Sequence, residues 1–265
     1  MASVKDIIAL IESVAPKENK CDFDNVGLLV GRKEAQVNKV MICLDATKEV
    51  IYEAIKSGAQ LIISHHPVIF DPIKAVSSET LLGEKIILAI ENGIAIYSAH
   101  TNLDFSLGGI NDFVAEAFSL NEVTTLDPYI SENEGLGRVG KLSCPCTAKE
   151  LKDRIEKILN DKYIRIIGEP NALIKKVAVI NGSGGDIEYI DMAEKVGADC
   201  LITAEVKHHV AIYAREKGFT IIECQHYTME HSYLESFTEL LKEKAVLETL
   251  SVEFMQSKRE TNPKN

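Results

Sequence analysis

Short apolar strands alternate with amphipathic helices along most of the chain, and this alternation restricts the fold more than any other feature. Val37–Leu44 predicts a buried strand, and Thr47–Ser57 predicts a helix that stops at Gly58. Gln60–Ser64 and Ile94–Ala99 predict further strands. Strands that are apolar on both faces need helices on both sides of their sheet. We therefore expect an α/β fold with mixed, largely parallel sheets.

The length of 265 residues exceeds the ~150 residues of one average domain and predicts either two small domains or one large one. Leu120–Gly137 is polar, contains Pro128 and shows no clear periodicity, so we place a domain boundary there. The first α/β domain would comprise residues 1–126 and 224–265 and hold the metal site described below. The second α/β domain would comprise residues 127–223.

Three further segments carry local expectations. Ser78–Glu91 predicts a helix with Ser77 or Ser78 as its N-cap. Thr228–Lys244 predicts one long helix. The polar tail from Gln256 is expected to be loose.

Charge argues against two classes of partner. The chain has 29 Lys and Arg residues against 40 Asp and Glu residues, a net charge of −11. A generic nucleic-acid binder and an anionic membrane surface would both require basic residues, so neither partner is expected. No apolar run approaches the ~20 residues of a membrane span. Cys43, Cys200 and Cys224 fall in apolar strand-like runs, which favours a reduced, cytoplasmic protein.

The histidines gather at the predicted strand ends. Those at or just beyond a strand end are His65, His66, His100 and His226. In open α/β sheets ligands bind beyond the carboxyl ends of the strands. Asp104 follows His100 by four residues, and Glu230 follows His226 by four residues, a spacing that faces one side of a helix. Imidazoles with carboxylates and no thiolate suit Zn, Mn, Fe, Co or Ni.

An alternative is that these histidines only satisfy hydrogen bonds at the strand ends. The side chains of adjacent His65 and His66 diverge on an extended strand, so it is geometrically awkward for both to bind one ion. They could instead serve two neighbouring ions ~3.5–4 Å apart. The further His-x-x-x-Asp and His-x-x-x-Glu pairs favour the metal site.

Several segments together resemble one known family. They are Leu61-Ile-Ile-Ser-His65-His66-Pro67, Ser98-Ala-His100-Thr-Asn-Leu-Asp104, His226-Tyr-Thr-Met-Glu230, Asp24-Asn-Val-Gly-Leu28, Asn181-Gly-Ser-Gly-Gly185 and Thr203-Ala-Glu205-Val-Lys-His208-His209. In this order they are similar to the dinuclear metal-centre family called GTP cyclohydrolase I type 2-like or NGG-interacting-factor-like. The resemblance covers nearly the whole chain; Ala204 departs from it, since members usually have glycine there.

The resemblance implies two divalent metal ions per subunit, Zn, Fe, Mn, Co or Ni, in a cleft between two α/β domains. On the matching positions the implied ligands are His65, His66, Asp104, His226 and Glu230. Glu230 would bridge the two ions, and His100 would support a ligand or accept a proton. The resemblance also implies a homo-oligomer, commonly a toroidal hexamer.

Two weaker segments could contribute to catalysis. The backbone of Gly182, Ser183 and Gly184 could hold a substrate phosphate, or the segment could be only a tight strand-to-helix turn. Glu205, His208 and His209 could line the same cleft or bind substrate, with His208 as a proton shuttle, or they could form an exposed first helical turn. Asp24-Asn25 is interpreted as a turn that holds the site loop.

Two functions follow as expectations. The first is a metal-dependent hydrolase that acts on a nucleotide such as GTP by opening its ring. The alternative is a non-catalytic metal-binding scaffold or chaperone that works through protein interactions.

Overall fold

The structure is a computed structural model, and it describes residues 2–264. The strands are β1 (Ala2–Ser3), β2 (Gly27–Val30), β3 (Gln36–Val37), β4 (Lys39–Cys43), β5 (Leu61–Ser64), β6 (Ala95–Ser98), β7 (Leu120–Ser131), β8 (Glu134–Thr147), β9 (Arg165–Ile167), β10 (Leu173–Val179), β11 (Cys200–Thr203), β12 (Thr220–Glu223) and β13 (Glu253–Gln256). The helices are α1 (Val4–Glu12), α2 (Lys48–Ser57), α3 (Leu81–Glu91), α4 (Thr101–Phe105), α5 (Ile110–Ala117), α6 (Ala148–Leu159), α7 (Ile187–Lys195), α8 (His208–Lys217), α9 (His226–His231) and α10 (Leu234–Leu247), with a short 3-10 turn at Lys17–Asn19.

Contacts divide the chain into two compact units. The first unit comprises residues 1–103 and 234–265, and the second unit comprises residues 104–233. The sequence placed the boundaries at 126/127 and 223/224, so the structure moves residues 104–126 and 224–233 into the second unit. For the first segment the reason is packing, since α5 contacts β8 and β10 and the buried Arg138 pairs with Asp112 of α5. For the second segment, the side chains of Gln225 and Thr228 donate hydrogen bonds to the carboxylate of Asp161.

The first unit contains a five-stranded sheet in the order β13-β4-β5-β6-β2. Its strands are parallel except for β2, which runs antiparallel to β6. Met41 and Cys43 face a core that includes residues of α2 and α3. Because side chains alternate along a strand, Val40 and Ile42 face the opposite side, where α10 contacts β4. The predicted mixed, largely parallel sheet with helical layers is confirmed in this unit.

The second unit contains a six-stranded mixed sheet in the order β7-β8-β10-β11-β12-β9. Only its centre, β10-β11-β12, is parallel among the described residues. Leu120–Gly137 is not an irregular boundary, because β7 and β8 form a long antiparallel hairpin there. Register shifts between Asn121 and Thr124 and between Asp127 and Ser131 interrupt the alternation of side chains, which hides the strand pattern in the sequence.

Two helical predictions were wrong in detail. The helix predicted over Ser78–Glu91 begins at Leu81, and its N-cap is Thr80, whose side chain accepts a hydrogen bond from Gly83 N–H. The long helix predicted over Thr228–Lys244 is divided between α9 and α10. Tyr233 lies in the break, buried, and its hydroxyl donates to the carbonyl oxygen of Gly108 at 3.1 Å.

The apolar strand-like runs behave as expected for buried segments. Cys43, Cys200 and Cys224 are buried, and burial raises the pKa of each thiol. Within residues 2–264, no helix is both long enough and apolar enough to span a membrane.

Candidate metal centre

Three histidines lie together at the carboxyl edge of the first sheet. β5 and β6 are parallel neighbours with Ser64 opposite Ser98, so the chain leaves both strands at the same edge. His65 and His66 follow β5 directly, and His100 follows β6 by two residues. Ring nitrogens of these three side chains lie within 4.8 Å of one another. We call these three residues the histidine group, and it could hold a metal ion.

Hydrogen bonds orient the two adjacent histidines. Nδ1 of His65 lies 2.8 Å from the carbonyl oxygen of Ala99, and Nδ1 of His66 lies 2.9 Å from Oδ1 of Asp45. An oxygen acceptor at Nδ1 assigns the proton to that nitrogen and makes Nε2 the atom that can coordinate a metal. Protein metal sites use this arrangement to orient their ligands.

His100 is held in the same way by Asp24. Its Nδ1 lies 2.9 Å from Oδ1 of Asp24, whose Oδ2 accepts from the backbone N–H and the hydroxyl of Thr101. Burial by itself raises the pKa of Asp24, but His100 and the Thr101 hydrogen bonds outweigh burial and lower this pKa to about 2. Asp24 is therefore an anion at neutral pH. Asn25 donates from Nδ2 to the carbonyl oxygen of Ile69 at 2.7 Å, in line with a turn that holds the site loop.

The C-terminal tail is not loose where it passes this edge. After β13, the N–H of Ser257 donates to the carbonyl oxygen of Ile42. Oε1 of Glu260 then accepts from the backbone N–H groups of Leu44 and Asp45 at 2.8 and 2.7 Å. The tail thus fixes the backbone of Asp45, the residue that orients His66.

In the second unit, α9 presents an imidazole and a carboxylate together. Nε2 of His226 lies 2.9 Å from Oε2 of Glu230, one helical turn away, as the i,i+4 spacing predicted. Glu230 is only 3% exposed. Glu205 faces the other side of the ring, with Oε1 3.7 Å from Nδ1 of His226. Glu205 holds a positive φ of 57°, a conformation that disfavours residues other than glycine, so this placement is maintained at a conformational cost.

The glycine-rich turn lies against this pair. Gly182 has a φ of +66°, and a Cβ at this position would collide with Oε1 of Glu230. Asn181, 7% exposed, points Nδ2 toward Oε1 of Glu230 at 3.4 Å. Its Oδ1 is buried and has no hydrogen-bond partner among the described residues. The backbone N–H of Gly184 already has acceptors in Gly182 O and Thr203 Oγ1, which removes it from a phosphate cradle.

Asp104 is tied to the same turn through Asn111. α4 follows His100 directly and carries Asp104 near its end. The fully buried Asn111 donates from Nδ2 to the carbonyl oxygen of Asp104 at 3.0 Å and accepts the N–H of Asn181 at Oδ1 at 2.8 Å. The backbones that carry Asp104 and Asn181 are therefore positioned together.

Sequence reasoning singled out the histidines and carboxylates described above as candidate ligands and missed most of the residues that orient them. Neither Asp45, Asn111 nor Glu260 stands in a motif that the sequence singled out. Of the weaker candidates, Glu205 faces His226, whereas His208 and Ser183 are exposed. The role of His208 as a proton shuttle stays a prediction.

The donor atoms fit a divalent metal of intermediate softness. They are imidazole nitrogens and carboxylate oxygens, which suit Zn, Mn, Fe, Co or Ni better than copper(I). In the first unit, the hydrogen bonds at Nδ1 orient the histidine group. In the second unit, Glu230 is a nearly buried carboxylate with an imidazole beside it.

Comparison with known proteins decides the family. The model of the Duf34/NIF3 family (NGG1p interacting factor 3) matches residues 2–263. The chain belongs to the Duf34/NIF3 family. A relative from Clostridium perfringens, named GTP cyclohydrolase 1 type 2 homolog, is 40% identical over 98% of this NIF3-family chain and 98% of its own length.

Solved structures agree with this assignment. A Bacillus cereus protein related to NIF3 has a TM-score of 0.94 and 27% identity, and the match covers 99% of this NIF3-family chain and 98% of that chain. Reduced HcgD from Methanocaldococcus jannaschii has a TM-score of 0.81 and 32% identity, with coverage of 96% and 97%. The predicted family and fold class are confirmed.

The position of Gly182 yields a prediction about metal binding. Gly182→Ala should weaken zinc affinity by more than about tenfold, because the new Cβ displaces the carboxylate of Glu230, and a shift of 1.4 kcal/mol already corresponds to a factor of ten. Competition with a chromophoric chelator measures this affinity.

Gly197→Ala is the matched control. Gly197 has a φ of +77°, and a Cβ there would meet no atom within 4 Å. Both variants should lose about 1 kcal/mol of unfolding free energy from the left-handed backbone, but Gly197→Ala should keep its zinc affinity. Equal zinc affinities in the two variants would contradict the placement of Gly182 against a ligand.

Proposed function

We propose that the chain binds two divalent metal ions and uses them to hydrolyse a nucleotide such as GTP. The proposed ligands are His65, His66, Asp104, His226 and Glu230. The observation that carries this proposal is the histidine group, in which every Nδ1 atom has an oxygen acceptor. Histidines that merely satisfied a strand end would not need one ring nitrogen from each of them gathered within 4.8 Å of the others.

Glu230 is the proposed bridge between the ions. A carboxylate has two oxygens, and its negative charge offsets the repulsion between two neighbouring cations. The pairing with His226 and the contact with Gly182 and Asn181 hold this carboxylate in one place. Burying a carboxylate to this extent costs free energy unless a cation compensates its negative charge.

The proposed reaction is the addition of water to an electrophilic ring carbon, such as C8 of guanine, followed by ring opening. Two divalent ions, when bound, lower the pKa of a water molecule and stabilise negative charge on the substrate. His100 is the proposed proton acceptor, because Asp24 holds its Nδ1 at 2.9 Å and leaves Nε2 as the ring nitrogen that can take a proton. The turn at Gly182 and Ser183 would position part of the substrate beside Glu230, without the N–H of Gly184, which is already bonded within the protein.

Names of relatives support the substrate class. The Clostridium perfringens relative is called a GTP cyclohydrolase 1 type 2 homolog, and so is a Methanocaldococcus jannaschii relative that is 34% identical over 94% of this chain. We therefore choose a guanine nucleotide as the first substrate to be assayed.

We also propose that the chain assembles into a ring of identical subunits, commonly six, as the family resemblance implies. Multi-angle light scattering at micromolar concentration should give a mass well above that of a dimer. A mass near 29 kDa, that of one chain, would refute this assembly.

Turnover of GTP tests the enzymatic proposal. The chain is stripped of metal, reloaded with Zn, Mn, Fe, Co or Ni in turn, and assayed by chromatography for loss of GTP. At least one metal should restore turnover, and the rate should rise with pH until the activated water has lost its proton. His100→Gln should reduce the rate by about a hundredfold, the usual contribution of one general base.

His209→Gln is the control for a histidine substitution, since His209 is exposed on the first turn of α8. It should leave turnover unchanged. If no metal restores turnover of a nucleotide, phosphoester or cyclic amide, the enzymatic proposal is wrong and the metal-binding scaffold becomes the better account.

A further inference from the structure

We propose that Phe23 and Phe70 form a stacking surface for the flat heterocyclic ring of the substrate, beside the histidine group. This inference rests on the proposed function and names the part of the nucleotide that the first unit would recognise. It concerns the base, whereas the proposed function concerns the reaction. The two phenylalanines are called the aromatic wall below.

Both phenylalanines are exposed although their backbones are anchored. Phe70 is 46% exposed and follows Val68, which is buried in the core of the first unit, and Ile69, which packs against that core. The side chain of Asn25 holds the carbonyl oxygen of Ile69 at 2.7 Å. Phe70 therefore leaves the core at a fixed point rather than from a loose loop.

Phe23 is held by its neighbour in the chain. It is 70% exposed, while the next residue, Asp24, is buried and bonded to both His100 and Thr101. The segment of residues 23–25 thus does three things at once. Phe23 faces Phe70, Asp24 orients His100, and Asn25 fixes the backbone beneath Phe70.

The aromatic wall continues directly into the histidine group. The ring centroids of Phe23 and Phe70 are 6.4 Å apart, and those of Phe70 and His100 are also 6.4 Å apart with an interplanar angle of 77°. The His100 ring lies 5.1 Å from that of His65 and 5.6 Å from that of His66. A flat ring placed on the wall would therefore lie next to the candidate metal ligands.

The chemistry of the wall favours a heterocyclic base over a phosphate. Aromatic faces stack on nucleobases, whatever the base, because every base has a π face. The neighbours of the two phenylalanines in the chain, Asp22 and Asp71, are exposed carboxylates that would repel an anion. The amino group of Lys20 is already bonded to the carbonyl oxygens of Cys21 and Asp24.

Binding of GMP and of ribose 5-phosphate to the full-length, zinc-loaded chain tests this proposal by calorimetry. The two probes share the sugar and the phosphate and differ only in the base. The wild-type chain should bind GMP about tenfold more tightly or better, the effect of one stacked base. Phe23→Leu and Phe70→Leu should each lose most of this preference without a change in ribose 5-phosphate affinity or zinc content.

Phe70→Tyr and Tyr52→Leu are the controls. Phe70→Tyr keeps a flat ring and should keep the preference for GMP. Tyr52 is an exposed aromatic residue on α2, 52% exposed, and lies outside the aromatic wall, so Tyr52→Leu should behave as the wild-type chain.

Two results would overturn the proposal. The first is equal affinity of the wild-type chain for GMP and ribose 5-phosphate. The second is a fall in oligomer mass in Phe23→Leu and Phe70→Leu while the preference for GMP persists, which would show that a second copy of the chain covers the wall.

A preference for GMP that depends on the wall, without GTP turnover, would refute the hydrolase but keep the stacking surface. GTP turnover by a wild-type chain that shows no preference for GMP would refute the stacking surface but keep the hydrolase.

Discussion

Each imidazole of the histidine group is bound through Nδ1 to an oxygen of the first unit, and the candidate site depends on this constraint. A parallel sheet brings the carboxyl ends of β5 and β6 to one edge, but that alone would leave the side chains able to rotate. The oxygens of Ala99, Asp45 and Asp24 remove this freedom. These hydrogen bonds thereby supply much of the side-chain ordering that metal binding requires.

Several parts of the first unit help to hold the groups that orient the histidines. β13 extends the sheet beside β4, and the tail that follows it delivers Glu260 to the backbone of Leu44 and Asp45. Burial raises the pKa of Glu260, while these two backbone hydrogen bonds oppose that rise. The polar tail thus holds the backbone of Asp45, whose side chain orients His66.

In the second unit, a helix and a turn orient the candidate ligands. α9 places His226 and Glu230 on one face, and Gly182 is the residue that allows the turn to approach Glu230 so closely. Asn111 then joins that turn to the backbone of Asp104. Both units therefore carry candidate ligands on the ends of regular elements and secure them by buried polar contacts.

The sequence predicted those features that depend on local spacing. Strand ends placed the histidines, and the i,i+4 spacing placed Glu230 beside His226. It could not predict contacts between residues far apart in the chain, such as Glu260 with Asp45 or Asn111 with Asn181. It also missed the hairpin of β7 and β8, because its register shifts break the alternation that marks a strand.

Metal content of the Glu230→Gln chain tests the central claim most directly. After loading with zinc and removal of excess metal, elemental analysis of the wild-type chain should give two ions per chain, as in a two-metal site. Glu230→Gln should retain at most one, because a neutral amide cannot offset the repulsion between two cations. Glu235→Gln, an exposed residue of α10, should retain both. Two ions in a Glu230→Gln chain that circular dichroism shows to be folded would contradict the account.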